Sequence, residues 1–318
     1  MNPSLLIYVL RRLLWTLPTL LLVGLLVFML MRLVPGDPAL LILGDSATPE
    51  QLASLRAAWG LDKPIGLQFF YWLGQVLQGD LGQSITSSEP VMPLLLQRFQ
   101  VSASIVLVAV ALAVLLAVPA GLYAAWKQNS IVDTVVVATA TFFLSIPSFW
   151  LGLLLLLFVG LKLGLVPVVG YVPFAEDWRA SITFLILPVV TLTLIELGVL
   201  TRMSRASAVE TLRLEYVTHA RAKGLSERRV LLRHVLPNAF APTWTLVGLV
   251  LGNLLGGIAV LETVFTLPGL GRLLVDAIFA RDYPVVQGCM LFTAAIYVLV
   301  NLVVDLCYPL FDPRVSAT

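Results

Sequence analysis

Few residues of this chain are placed to make or break bonds. The two histidines, His219 and His234, have no cysteine or carboxylate cluster beside them, so they do not read as metal ligands. Cys289 and Cys307 match no metal or redox spacing and fall in the last apolar stretch, where they read as small apolar residues. Gly269-Leu270-Gly271 lacks the third glycine and the preceding strand of a dinucleotide fingerprint, and no Walker phosphate loop occurs, so hydrolysis of ATP by this chain through that chemistry is excluded. No Ser/His/Asp set reads as a membrane protease. Two kinds of group remain. Glu196 and Glu262 are carboxylates in or beside apolar segments, and a dense basic cluster lies between Arg202 and Arg233. An intramembrane carboxylate could relay protons, snorkel inward or pair across a subunit interface. Glu262 could face a pathway or a neighbouring subunit. The basic cluster could meet an acidic partner or water. None of this is catalysis, and no enzyme is expected.

Composition decides what must hold these groups. The chain has 318 residues, 59% hydrophobic and 12% charged. A soluble domain carries about 25% charged residues, so a membrane protein is expected, and the net charge of +2 is too small to suggest nucleic acid. Crossing the hydrocarbon core takes about 20 apolar residues as a helix. Six segments meet or approach this: Leu13–Met31, Val101–Trp126, Thr134–Leu161, Ala180–Thr201, Phe240–Leu261 and Val285–Val304. Only the fourth holds a formal charge, Glu196. Runs this long exclude the alternating strands of a membrane barrel. The first run follows Arg11-Arg12 but is too long for a signal peptide and has no cleavage site, so it reads as a retained anchor.

Basic residues near the span ends set orientation. Arg11 and Arg12 put the N-terminus in the cytoplasm, and six crossings return the C-terminus there. Loop 202–239 then lies inside, with eight basic residues against Glu210, Glu215 and Glu227. The expected divisions are an N-terminal transmembrane helix (1–34), an outside cap of short helices (35–100), a core with five spans (101–310) and a cytoplasmic tail (311–318). In the cap, Thr48-Pro49-Glu50-Gln51 reads as an N-cap, a first-turn proline and a capping-box glutamine, with the helix stopping at Gly60.

Loop 202–239 is organised beyond mere polarity. Ala206 to Lys223 has no proline or glycine and is rich in helix formers, and Gly224 stands where a left-handed C-terminal cap belongs. Ser226 is expected to cap a second helix from Glu227 toward Leu236, and Pro237 to interrupt it. Leu212, Val217, Ala220 and Leu225 would supply an apolar ridge. The small residues Ala220 and Ala222 would let another protein approach closely. An ordinary basic loop obeying the positive-inside rule is the alternative.

Glu215-Tyr216-Val217-Thr218-His219-Ala220-Arg221-Ala222-Lys223-Gly224-Leu225, followed by His234-Val235-Leu236-Pro237-Asn238, resembles the cytoplasmic signature of binding-protein-dependent ABC permeases. Its Ala-Arg-Ala-Lys-Gly-Leu form is similar to the dipeptide/oligopeptide/nickel branch. Thr218 and His219 stand where the broader pattern has Glu-Ala, a departure this branch shares. Further matches are Pro35-Gly36-Asp37-Pro38, Gly60-Leu61-Asp62-Lys63-Pro64, Gly79-Asp80-Leu81-Gly82, Ile146-Pro147-Ser148-Phe149-Trp150, Glu262-Thr263-Val264-Phe265, Pro268-Gly269-Leu270-Gly271, Arg281-Asp282-Tyr283-Pro284 and Asp312-Pro313-Arg314. The long segment before the second span is similar to the first-type permease subunit.

The resemblance implies an all-α type I importer permease of the inner membrane, which moves di- or oligopeptides or similar small solutes inward. It implies a coupling loop around Glu215, Arg221, Lys223 and Leu225, with ATPase contacts on Ala220, Ala222, Gly224, Leu236 and Pro237. The implied partners are a second permease, two ATP-binding subunits that use ATP and Mg, a periplasmic or lipid-anchored solute-binding protein and membrane lipid. No cofactor on this chain is implied. A self-sufficient ion-coupled transporter or channel is the rival, and it would need ion sites at broken helices near the midplane. Pro147 would give the third span a gating hinge or a static kink. Gly252, Gly256 and Gly257 would form a small-residue face for close packing between helices or subunits.

Overall fold

The computed structural model describes residues 3–33, 40, 47–58, 60 and 62–311. The sequence matches at Pro35–Pro38, Leu61 and Asp312–Arg314 lie outside the described residues. The fold is all-α; among the described residues the only bridge is an isolated pair, Gln83 with Pro90. In chain order the helices are α1 (Pro3–Leu33), α2 (Pro49–Ala58), α3 (Ile65–Leu77), α4 (Val91–Trp126), α5 (Ile131–Ser145) and α6 (Ser148–Leu155), the last extended by a π-helix, Leu156–Lys162. Then come α7 (Trp178–Leu212), α8 (Glu215–Ala222), α9 (Glu227–Val230), a π-helix (Leu231–Val235), α10 (Leu236–Gly257), α11 (Ala259–Val264), α12 (Leu270–Phe279) and α13 (Tyr283–Phe311).

Five helices are long and apolar enough to cross a membrane alone, and α5 with α6 makes a sixth span when the pair is counted as one. The pair is bent by 97°. The expected third span, Thr134–Leu161, is therefore a broken helix, and Pro147 breaks it outright. Ile146 is extended (φ −88°, ψ 128°), as the residue before a proline prefers, and Pro147 starts a new helix.

Two spans outrun the membrane. α4 has 36 residues and α7 has 35, about 50 Å each against about 30 Å of hydrocarbon. The first turns of α4 thus occupy residues read as cap. At the other end, the expected helix from Ala206 to Lys223 is two helices. α7 ends at Leu212, Leu214 is extended (ψ 145°), and α8 restarts at Glu215. The break turns the chain so that Val217 and Ala220 face inward. Pro237 does not interrupt the next helix. It sits in the first turn of α10, which tolerates its missing N–H, directly after the π-helix.

Small residues set the closest approaches. A Cβ on Gly121 would lie 2.8 Å from the Thr201 carbonyl, and one on Gly198 would lie 2.5 Å from the Ala140 carbonyl. The expected small-residue face of α10 packs on α13 within this chain: Gly248 meets Val304, Gly252 meets the Tyr297 ring and Gly256 meets Thr293. Gly257 takes no part, with nothing within 4 Å of its would-be Cβ. Three apolar clusters result. A central one joins α4, α7 and α10. One lies under the basic loop. One at the far end joins α4, α12 and α13 and buries Cys289.

Candidate functional site

The basic loop folds into a compact knob seated on the ends of three spans. α8 closes with a Schellman motif. Gly224 takes φ +78°, the Leu225 N–H donates to the Ala220 carbonyl (3.3 Å) and the Gly224 N–H donates to that of Arg221 (2.9 Å). Leu225 folds back over Ala220 in the same apolar cluster. Ser226 holds the N-cap position of α9, but its side chain makes no cap bond.

Beneath the knob, Val217, Ala220, Val230 and Val235 pack with Leu122 and Ala125 of α4, Ala208 of α7 and Ala239 of α10. Arg221 donates from Nε to Glu227 Oε1 (2.8 Å) and from a terminal nitrogen to Oε2 (3.2 Å). The Trp126 indole N–H, in the last turn of α4, reaches the same carboxylate at 3.1 Å. With side chains 38% and 41% exposed, the ion pair is worth about 0.2–1 kcal/mol, so the apolar seat outweighs it. Beside the knob, Arg205 of α7 grips Asp133 of α5 with two bonds (2.5 and 2.7 Å).

The predicted site residues divide accordingly. Glu215, Arg221, Ala222, Lys223, Gly224 and Pro237 are exposed, and Leu225 and Leu236 are half-buried on the cluster. Ala220 is 5% exposed and faces its own chain. It fulfils its expected place in the apolar ridge, not that of a contact offered outward. The reason is the 3.6-residue period, which turns Val217 and Ala220 together onto the seat while Ala222 and Lys223 point away.

At the far end Glu262 is turned into its own chain. It is 1% exposed. Its carboxylate accepts the Ser102 hydroxyl of α4 (2.5 Å) and the Arg272 N–H (2.8 Å), with the Gly271 N–H on the same group. Ser102 Oγ in turn accepts the Leu270 N–H (2.8 Å). The pair caps the N-terminus of α12, where orphan N–H groups and the helix dipole favour a carboxylate. A Cβ on Gly269 would overlap that carboxylate. A second device lies alongside. Asp282, 3% exposed, accepts the Ser84 hydroxyl (2.5 Å) and the Val285 N–H (3.4 Å), pinning the 82–90 turn to the start of α13.

Sequence reasoning missed Ser102, Ser84, Asp133 and Trp126. Two acids carried a local signal: Asp282 stands directly before a helix start with proline in its first turn, and Asp133 follows Ser130 at capping-box spacing, its N–H donating to Ser130 Oγ (3.3 Å). Glu196 is buried in α7. Arg202 is exposed, and no ion pair joins them among the described residues. In their first-turn alignment Thr48 and Gln51 form the expected capping box, the Thr48 N–H donating to Gln51 Oε1 (2.9 Å) and the Gln51 N–H to Thr48 Oγ1 (3.3 Å).

Comparison with known proteins agrees along nearly the whole chain. Residues 117–317 match the family described as binding-protein-dependent transport system inner membrane component, and residues 5–111 match its N-terminal region. The chain is 42% identical to a Brucella abortus (strain 2308) protein carried under the provisional name of peptide transport system permease, over 96% of this chain and 98% of that one. It is 42% identical to the glutathione transport system permease GsiC of Salmonella choleraesuis, over 97% and 98%. It is 39% identical to the dipeptide transport system permease DppB of Escherichia coli K12, over 97% and 98%.

Proposed function

Because the chain belongs to the family of binding-protein-dependent transport inner-membrane components, the permease subunits of ABC importers, we propose that it forms half of a pathway for small peptides or peptide-like solutes. A related second permease supplies the other half. Both termini face the cytoplasm, residues 35–100 lie outside and residues 101–310 form the translocating core. The chain itself is non-catalytic; ATP and Mg are used by two partner ATPases. A solute-binding protein delivers solute near the 82–90 turn and the 262–284 segment.

The observation that carries the reading is the seating of the knob. One rigid element, clamped by Trp126 and Arg221 through Glu227 and packed on α4, α7 and α10, offers Ala222, Lys223 and Gly224 outward. An ATPase that engages this surface moves three span ends together. Binding of ATP by the partners favours one arrangement of the spans over the other, and it shifts their balance only through its differential affinity for the two. The small side chain of Ala222 and the bare Gly224 leave room for a groove wall, and Lys223 suits an acidic rim.

Ala222→Trp tests this, because Ala222 points away from the knob's own packing. Co-purification with the ATPases is expected to be lost while the permease retains its wild-type melting temperature. Uptake into vesicles by the wild-type complex is expected to need ATP. Uptake driven by an ion gradient without ATP would sink the proposal and favour the secondary-transporter reading.

A further inference from the structure

The helix α3 is ill suited to a water-facing cap. Its thirteen residues, Ile65 to Leu77, carry no charge. At about 20 Å it is too short to cross a bilayer, and apolar helices of this length are core helices or interfacial and re-entrant ones. It is not a core helix. Only Gln68 and Phe69 are buried, while Phe70 is 68% exposed and Leu77 is 79% exposed. Leu67, Phe70, Tyr71, Gly74 and Leu77, spaced three and four apart, make one apolar face.

The opposite face packs on α1. Phe28 meets Phe69 and Trp72 with ring centres 5.5 Å apart in each case, and the Trp72 ring is 3.8 Å from where a Gly24 Cβ would stand. This contact sets a depth. Arg12 and Arg32 bracket the apolar run of α1, about 30 Å apart along the axis. Gly24 stands eight residues inside Arg32, about 12 Å down the helix. A side chain touching Gly24 therefore lies at the depth of acyl chains.

We propose that α3 is embedded in the outer leaflet, with Leu67, Phe70, Tyr71 and Leu77 against lipid acyl chains, and that it anchors the outside segment to the membrane. This rests on α1 being a span. Lipid fits the face better than a protein does. A protein interface carries a polar rim and ordered water, whereas outside its buried side this helix offers just Gln75 and the Tyr71 hydroxyl, with Gln78 at its C-cap.

The test places single cysteines in a Cys289→Ala/Cys307→Ala background of the whole complex in lipid nanodiscs. Each is labelled with a nitroxide, and its collisions with dissolved oxygen and with a water-soluble nickel chelate are compared. Phe70→Cys is expected to match Leu22→Cys on α1, with oxygen favoured several-fold, and Glu89→Cys is expected to show the reverse. Nickel access at position 70 equal to that at 89 overturns the proposal. Low collision rates with both reagents, or protection only after the solute-binding protein is added, assign the face to a protein and also overturn it. If position 22 is open to nickel as well, it is the span reading of α1 that fails. Should the cysteine variant not assemble, Phe70→Trp keeps an aromatic ring. Added quenching over wild type by lipids brominated at mid-chain supports the proposal, and no added quenching refutes it.

Discussion

Glu262 shows what a single buried carboxylate does here. It and Ser102 between them accept the Leu270, Gly271 and Arg272 N–H groups at the start of α12, and Gly269 is bare because the carboxylate fills the space of a Cβ. Glu262→Ala leaves the Gly271 and Arg272 N–H groups and the Ser102 hydroxyl unpaired in a dry site, with a cost of about 3 kcal/mol. Glu262→Gln keeps one acceptor oxygen and is expected to fall between the two. Melting temperatures in detergent should therefore order as wild type, Glu262→Gln, Glu262→Ala. Equal melting temperatures for the three would show that the carboxylate is not the cap.

Among the elements, glycines separate two kinds of constraint. Gly224 needs its backbone: φ is +78° and nothing lies within 4 Å of a would-be Cβ. Gly224→Ala should cost about 1–2 kcal/mol as pure left-handed strain and leave the knob's surface intact. Gly224→Pro cannot take a positive φ at all and should abolish ATPase co-purification. Gly252 needs its bareness, since a Cβ would stand 2.6 Å from the Tyr297 ring. Gly252→Ala is expected to lose about 1–3 kcal/mol through overpacking. Gly257→Ala, one turn on in open space, should leave the melting temperature unchanged. If both behave alike, the close α10–α13 packing is not what Gly252 serves.

In the molecule as a whole, α4 is the member common to all three clusters. Its last turns seat the knob through Leu122, Ala125 and Trp126, its middle lines the central core, and its first turns hold Val91, Leu95 and Ser102 against α12 and α13. A continuous helix of 36 residues, with Pro119 in its interior, thus joins the end beneath the knob to the far end. Ser102→Ala, at the far end, is expected to lower ATP-driven uptake while ATPase co-purification stays at the wild-type level. A variant with full uptake would show that the two ends are not linked through this contact.

The apolar spans, the basic loop, the Gly224 cap and the Thr48–Gln51 box were all legible in the sequence, because each is set within a few consecutive residues by hydropathy, helix period or capping chemistry. The third span was legible as apolar but not as broken by 97°: Pro147 forbids a straight helix, yet how far the halves turn depends on what they pack against. The same holds for the knob, where only the seat beneath it decides that Ala220 turns inward and that α7 ends before α8. Ser102, Ser84 and Trp126, the distant partners of Glu262, Asp282 and Glu227, lie 160, 198 and 101 residues away. No local window holds such pairs, so only the tertiary structure decided which distant elements these carboxylates tie together, since a polar group taken from water must find its partners wherever the fold brings them.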